Sequence, residues 1–342
     1  MRLPIGIDVE QYKRQAKELL KDARLGDADA EARVREHHPE RERAAAPAKL
    51  KLADAQLVIA REQGFASWAR FAEYLHFRNA VAALDAGDVK RLASLLDAHR
   101  TVLRYECRVG EWYESGYFSG ATLLWHIAGN PNRGPLPPNI VEIARVLVER
   151  RVTKKDAEYT IGLLLTSKQA SDAGVALALI DVLARAGAHF DARSADVLSA
   201  PLLNHAPETA RALVLRGAPM ELRHAAALGE IDALSQMLAA RVAQSALDDA
   251  LLFACIRDQR EAVAMLLDRG ANGDALLVPG GQSPRTALHE AANRGFAELV
   301  EMLLDAGASA TVLDARWGGD AAGWAEAGGF PELARLLRER AR

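Results

Sequence analysis

Residues 286–308 read TALHEAANRGFAELVEMLLDAGA, and the reading of this stretch decides the fold. Thr286 stands where a helix N-cap is wanted, its hydroxyl able to accept a bond from an orphaned backbone N–H. Leu288, Ala291 and Ala292 follow at spacings of three and four, so they share one helical face. The small alanines let a neighbouring helix approach closely. Gly295 ends this first helix, where a left-handed backbone suits glycine. In the next helix Leu299, Val300, Leu303 and Leu304 form an apolar stripe, while Glu298, Glu301 and Asp305 face water. Gly307 closes it. Two short helices ended by glycines form an antiparallel hairpin that cannot bury its apolar face alone and must stack on copies of itself.

The same residues carry a family resemblance. T-A-L-H-E-A-A, then R-G-F, then V-E-M-L-L-D-A-G-A resembles an ankyrin repeat. The T-P-L-H-x-A signature is met at Thr286, Leu288, His289 and Ala291, with Ala287 in place of proline, and Gly295 and Gly307 end the helices. The resemblance implies an all-α fold, an ankyrin-repeat solenoid of stacked antiparallel helical hairpins. It also implies a structural His289, tying adjacent loops by hydrogen bonds.

Used as a ruler, the stretch organises residues 77–342 into an irregular array of about eight hairpins with a C-terminal cap. The likeness is clear in the last third and weaker in the middle. Hairpin ends fall at 187, 217, 241, 270 and 307, unevenly spaced, with Arg241 in place of the glycine. TLLWHIA at 122–128 aligns with TALHEAA and sets Trp125 where His289 stands. Arg338, Arg340 and Arg342 make the last helix polar, as an end cap requires. His189, His205 and His224 lie near turns and show no pattern.

Residues 1–76 read as an N-terminal helical segment, either a cap on the array or a small module with a partner of its own. Asp8 caps a helix from Val9 to Leu25 with Tyr12, Ala16, Leu19 and Leu20 on its stripe. A second helix after Asp27 carries Ala32 and Val34 and is stopped by Pro39. His38 to Pro47 reads as a charged linker of low order, with His37 and His38 at a solvated helix end. Lys49–Gln63 is a third helix with Leu52, Ala55, Gln56 and Ile59 along a face. Ser67 caps a fourth, in which Trp68 anchors a local core. The string ADAQLVIAREQGFASWARF (53–71) resembles a helical segment found ahead of ankyrin arrays in bacterial proteins.

Composition narrows the function classes. The formal net charge is −3, from 43 basic and 46 acidic side chains. That gives no electrostatic case for nucleic acid or an anionic membrane as partner. The two cysteines, Cys107 and Cys255, form no disulfide framework or CxxC pair, which points to a reducing, cytoplasmic setting. Cys107 reads as a loop residue and Cys255 as a small buried one. No leader-like apolar stretch opens the chain and no run is apolar enough to span a membrane. The richness in Ala, Arg, Leu and Gly resembles that of bacteria with GC-rich genomes.

Catalytic motifs such as G-x-S-x-G, H-E-x-x-H, a Walker A loop or G-x-G-x-x-G after a strand are absent. No cofactor, no metal and no enzymatic activity are expected. The departure from the ruler is Tyr105 to His126. The chain has five Trp, six Tyr and eight Phe, and Tyr105, Trp112, Tyr113, Tyr117, Phe118 and Trp125 all fall in this one stretch. The prolines at 131, 135, 137 and 138 follow at once. Tyr and Trp combine large rigid area with a polar handle and are enriched at interfaces. The expected function is therefore a non-enzymatic scaffold holding a protein partner on its concave, finger-bearing surface. It would be specialised by the insert at 105–139, with Tyr105, Trp112, Tyr113, Tyr117, Trp125 and His126 as contacts. Those rings could equally fill a local core. The alternative function is a small-molecule sensor or rare catalyst with a pocket near Trp125 and His126.

Overall fold

The computed structural model describes residues 8–107, 120–129, 134–191, 196–281 and 283–341. Among these residues every regular element is helical, and one isolated antiparallel bridge pairs Leu277 with Arg285. The all-α reading therefore holds. The chain divides into two compact units: Met1–Leu163 with Ala178–His189, and Leu164–Leu177 with Phe190–Arg342.

The second unit is built from five helical hairpins. Their first helices, Ser199–Leu203, Leu222–Leu228, Gln244–Ile256, Ala287–Asn293 and Ala321–Ala327, each touch the next along the row. The second helices Ile231–Leu238, Arg260–Asp268 and Ala297–Asp305 form a parallel row behind them. Alanine explains the close stacking: Ala225, Ala226, Ala250, Ala254, Ala291 and Ala292 are all sealed from solvent. Leu299, Val300 and Leu303 are fully buried in the same core, as the stripe predicts. Gly295 and Gly307 adopt φ of +71° and +96° at the two breaks of the organising hairpin. In two other hairpins the Gly295 position is held by His205 and Asp258, also left-handed at +62° and +53°. The break is thus a demand of the hairpin that the chain meets even without glycine.

The first unit opens with three mutually packed helices, Val9–Arg24, Ala28–His37 and Leu52–Glu62. Asp8, Asp27 and Ser67 accept cap bonds from Glu10, Ala30 and Arg70. Several details depart from expectation. Ala30, four residues before Val34, is the buried partner, and Ala32 faces outward. The third helix buries Ala55, Val58 and Ile59, leaving Leu52 exposed. Residues 38–47 are ordered into a short helix, Arg41–Ala44, and a 3₁₀ turn at Pro47–Lys49. His38 is buried there, its Nε2 lying 3.3 Å from the Asp54 carboxylate, to which Arg43 also donates at 3.0 Å. Charge in this segment is paired inward, which composition alone conceals.

The helix Trp68–Asp85 continues without a break through residues 76 and 77, where the N-terminal segment was divided from the array. It then pairs with Val89–Ala98 as a hairpin. Trp68 is half-buried, and the anchor is Phe71, whose ring meets Tyr12, Phe65 and Trp68. The next hairpin joins Leu123–Ala128 to Ile140–Glu149. Its first helix is 3₁₀ and ends at the left-handed Gly129, whose N–H donates to the His126 carbonyl at 3.0 Å. Asn139 Nδ2 donates to the Gly87 carbonyl at 2.9 Å, linking this hairpin to the one before it.

Candidate functional site

Where it is described, the aromatic stretch of the first unit buries Tyr105 and His126 and leaves Trp125 half-buried. Tyr105 follows the 3₁₀ turn Arg100–Arg104 and is 3% exposed. Its ring centroid lies 5.0 Å from Phe77 and 6.5 Å from Tyr74, with the Arg70 guanidinium 3.9 Å above it. His126 is 2% exposed and meets Phe77 edge-on at 6.0 Å. Burial lowers its pKa to about 3, so it is a neutral core ring. Tyr105 and His126 are therefore core residues, a correction to their reading as contacts. Large rings fill volume between helices as readily as they cover a partner.

Trp125 is half-buried. It donates from Nε1 to Asp156 at 2.9 Å and stacks on Tyr159 at 4.4 Å. Thr122 Oγ1 donates to the same carboxylate at 2.9 Å. Burial raises the Asp156 pKa, and these two bonds oppose the rise. Trp112, Tyr113 and Tyr117 lie outside the described residues. Cys107, read as a loop residue that could be exposed, is buried. Its N–H donates to the Ala121 carbonyl at 3.0 Å and its carbonyl accepts from Gly120 at 2.8 Å. Cys255 is buried as expected, and burial pushes its thiol far above the ordinary value, leaving it inert.

The signature residues of the second unit bond within their own hairpin and to the loop of the next. Thr286 caps its helix, accepting from the His289 N–H at 3.3 Å. His289 Nδ1 accepts from the Thr286 N–H at 3.2 Å, which leaves Nε2–H to donate to the Gly319 carbonyl at 3.1 Å. The ring thus ties the cap of one hairpin to the loop of the next. Burial, ahead of the opposing bond to Gly319, lowers its pKa and keeps it neutral.

His224 does the same work and sequence reading missed it. Its Nδ1 accepts from the Glu221 N–H at 3.1 Å, and its Nε2 lies 3.1 Å from Ser199 Oγ in the preceding hairpin. The signal was present: ELRH places a histidine three residues after a capping position, as TALH does. Glu221 in place of threonine disguised it.

A groove of ≈ 870 Å³ opens in the second unit. Its floor includes the buried pair Arg285–Glu290, and Arg294 donates to the other Glu290 oxygen at 2.9 Å. One wall is the loop 314–319. There Asp314 accepts from the N–H groups of Arg316, Trp317 and Gly319 at 2.8, 2.7 and 2.8 Å, and from Trp324 Nε1 at 3.0 Å. These bonds outweigh burial and hold the carboxyl well below the usual range. The knot presents Trp317 to solvent at 66% exposure. On the preceding loop, the bridge between Leu277 and Arg285 forms a finger whose Leu276 and Val278 are also exposed, as is Leu313 on the next. Sequence reading did not find this face, because Leu276, Leu313 and Trp317 are scattered singly and form no motif.

Among the described residues, no three His, Cys, Asp or Glu side chains are placed to share a metal ion. Nor is any helix there long and apolar enough to cross a membrane.

Residues 200–314 match the family described as Ankyrin repeats, in three copies. The match covers the organising hairpin, His224 and the finger at 272–285, and is narrower than the span 77–342 read from the ruler. Repeats of this family are generally protein–protein interaction modules and are typically non-enzymatic. No curated protein matches the chain.

Proposed function

We propose that this chain is a non-enzymatic scaffold that holds a protein partner on the finger and first-helix face of its second unit. One observation carries the reading: exposed Leu276, Val278, Leu313 and Trp317 sit on two successive fingers, and Trp317 borders the groove. Apolar side chains exposed together mark interaction surfaces, and a tryptophan held by a rigid loop is a favoured anchor. The two buried cysteines, which form no disulfide among the described residues, support a reducing, cytoplasmic setting. Trp112, Tyr113 and Tyr117 are carried forward as candidates for a further contact.

The test is quantitative affinity purification from the native host with the full chain, Trp317→Ala, and Leu276→Ser with Leu313→Ser. Proteins bound by the natural chain and lost from both variants, at unchanged melting temperature, support the reading. Retention of the same set by both variants sinks it. A loss confined to Trp112→Ala would move the contact to the insert at 105–139.

A further inference from the structure

We infer that the groove of the second unit takes an extended, acidic, amphipathic peptide segment, its carboxylates meeting Arg294 and Arg316 and its aliphatic side chains meeting Trp317 and the fingers. This rests on the scaffold reading above and names the class of partner.

Charge bookkeeping along the groove favours an acid. Both lining carboxylates are already satisfied. Glu290 is clasped by Arg285 and Arg294, and Asp314 by three backbone N–H groups and an indole. Neither leaves much charge for a basic partner. The cations are less fully used. Arg316 makes no ion pair among the described residues and rests only 5.0 Å from the Trp317 ring centroid. Arg294 spends its second contact on the ring of His205, at 3.2 Å. Arg257 adds to the same field. Burial and then Arg294 lower its pKa, and its Nε is buried without a hydrogen-bond partner among the described residues. A charge-assisted bond from such a guanidinium to a carboxylate is among the stronger recognition contacts.

Two further observations shape the occupant. Ser283 lines the groove, and its Oγ is buried with no hydrogen-bond partner among the described residues. A buried hydroxyl left unmade is unfavourable, and a peptide backbone entering the groove would supply both donor and acceptor. The buried Arg285–Glu290 pair is likewise a poor choice for stability alone, since apolar side chains of similar size would serve as well. Above this polar floor the fingers are aliphatic. A strand alternating acidic and aliphatic residues presents one kind to each side. A nucleic acid would meet the same arginines but leave Leu276, Val278 and Leu313 without fitting contacts, and the net charge of −3 repels it.

The experiment uses the full chain and fluorescence anisotropy with labelled peptides alternating Glu with Leu, and Gln with Leu. The Glu peptide should bind about tenfold or more tightly than the Gln peptide, equivalent to about 1.4 kcal/mol, and weaken as salt is raised. Arg316→Gln, which breaks no ion pair, should weaken the Glu peptide several-fold and leave the Gln peptide unchanged. Arg294→Gln with Arg316→Gln should erase the preference. Equal binding of both peptides, lost in Trp317→Ala, overturns the acidic class while leaving the docking face standing. Binding of neither peptide overturns both. Displacement of the Glu peptide by a single-stranded oligonucleotide that itself binds more tightly assigns the arginines to phosphate and overturns the inference.

Discussion

Two regions of this molecule hold the same kinds of side chain and use them oppositely. In the first unit Tyr105 and His126 meet Phe77 and are sealed from water. In the second, Trp317 is turned outward by a loop in which three backbone N–H groups are tied to the Asp314 carboxylate. The difference does not lie in the rings. Tyr105 leaves a 3₁₀ turn that packs against the long helix Trp68–Asp85, so its ring finds partners at once. Trp317 follows a buried carboxylate and precedes Gly318 and Gly319, which bring no side chain to cover it. Aromatic density in a sequence reports buried area to be gained; exposure is set by what the backbone beside the ring is anchored to.

The contrast can be tested by truncation. Tyr105→Ala removes a ring from a closed core and should destabilise the fold by about 3–5 kcal/mol, read from the urea midpoint. A loss under about 1 kcal/mol would return Tyr105 to the surface and undo the comparison. Leu303→Ala, in the apolar stripe of the organising hairpin, should cost about 2–5 kcal/mol, with no preferential loss of partner binding. An unchanged midpoint would mean that the register of that hairpin is wrong.

Acid should act on both units through their neutral histidines. The pKa of His224 is lowered from 6.5 to about 4, chiefly by burial and then by Arg223. Below pH 6.5 the unfolded chain takes up a proton that the folded one refuses, so stability falls from there down to about pH 4 and then levels. The loss is on the order of 1–3 kcal/mol for one such group. His126, held at about 3, extends the decline in the first unit. Melting temperature followed from pH 7 to 4 should fall, and His224→Gln should flatten the upper part of the curve. A slope unaffected by that variant would reject the lowered pKa of His224 as its source. The smallest effect belongs to Trp317→Ala. With its ring in solvent, stability should change by no more than about 0.5 kcal/mol while partner binding is lost.

The hairpin stack was legible from residues 286–308 because its determinants are local: a cap, a stripe at helical spacing and two left-handed breaks. His289 was legible for the same reason. His224 escaped because its cap is glutamate, although the spacing from cap to ring is unchanged. Asp258 and His205 hid two breaks by replacing glycine with side chains that take a positive φ more readily than most. The helix running from Trp68 to Asp85 spans residue 76, where the N-terminal segment is divided from the array, and has no stop signal there. The groove was not legible at all. It depends on Asp314 gathering four donors, on Arg285 folding back to Glu290, and on fingers of different length standing side by side, none of which has a periodicity to read.

The backbone pairing at Cys107, Gly120 and Ala121 has an engineering consequence. It holds the two ends of residues 108–119 at a fixed spacing through main-chain atoms, which any sequence possesses. Exchanging the side chain of Cys107 or Ala121 leaves both bonds in place, so the closure is carried by atoms that no substitution short of proline removes.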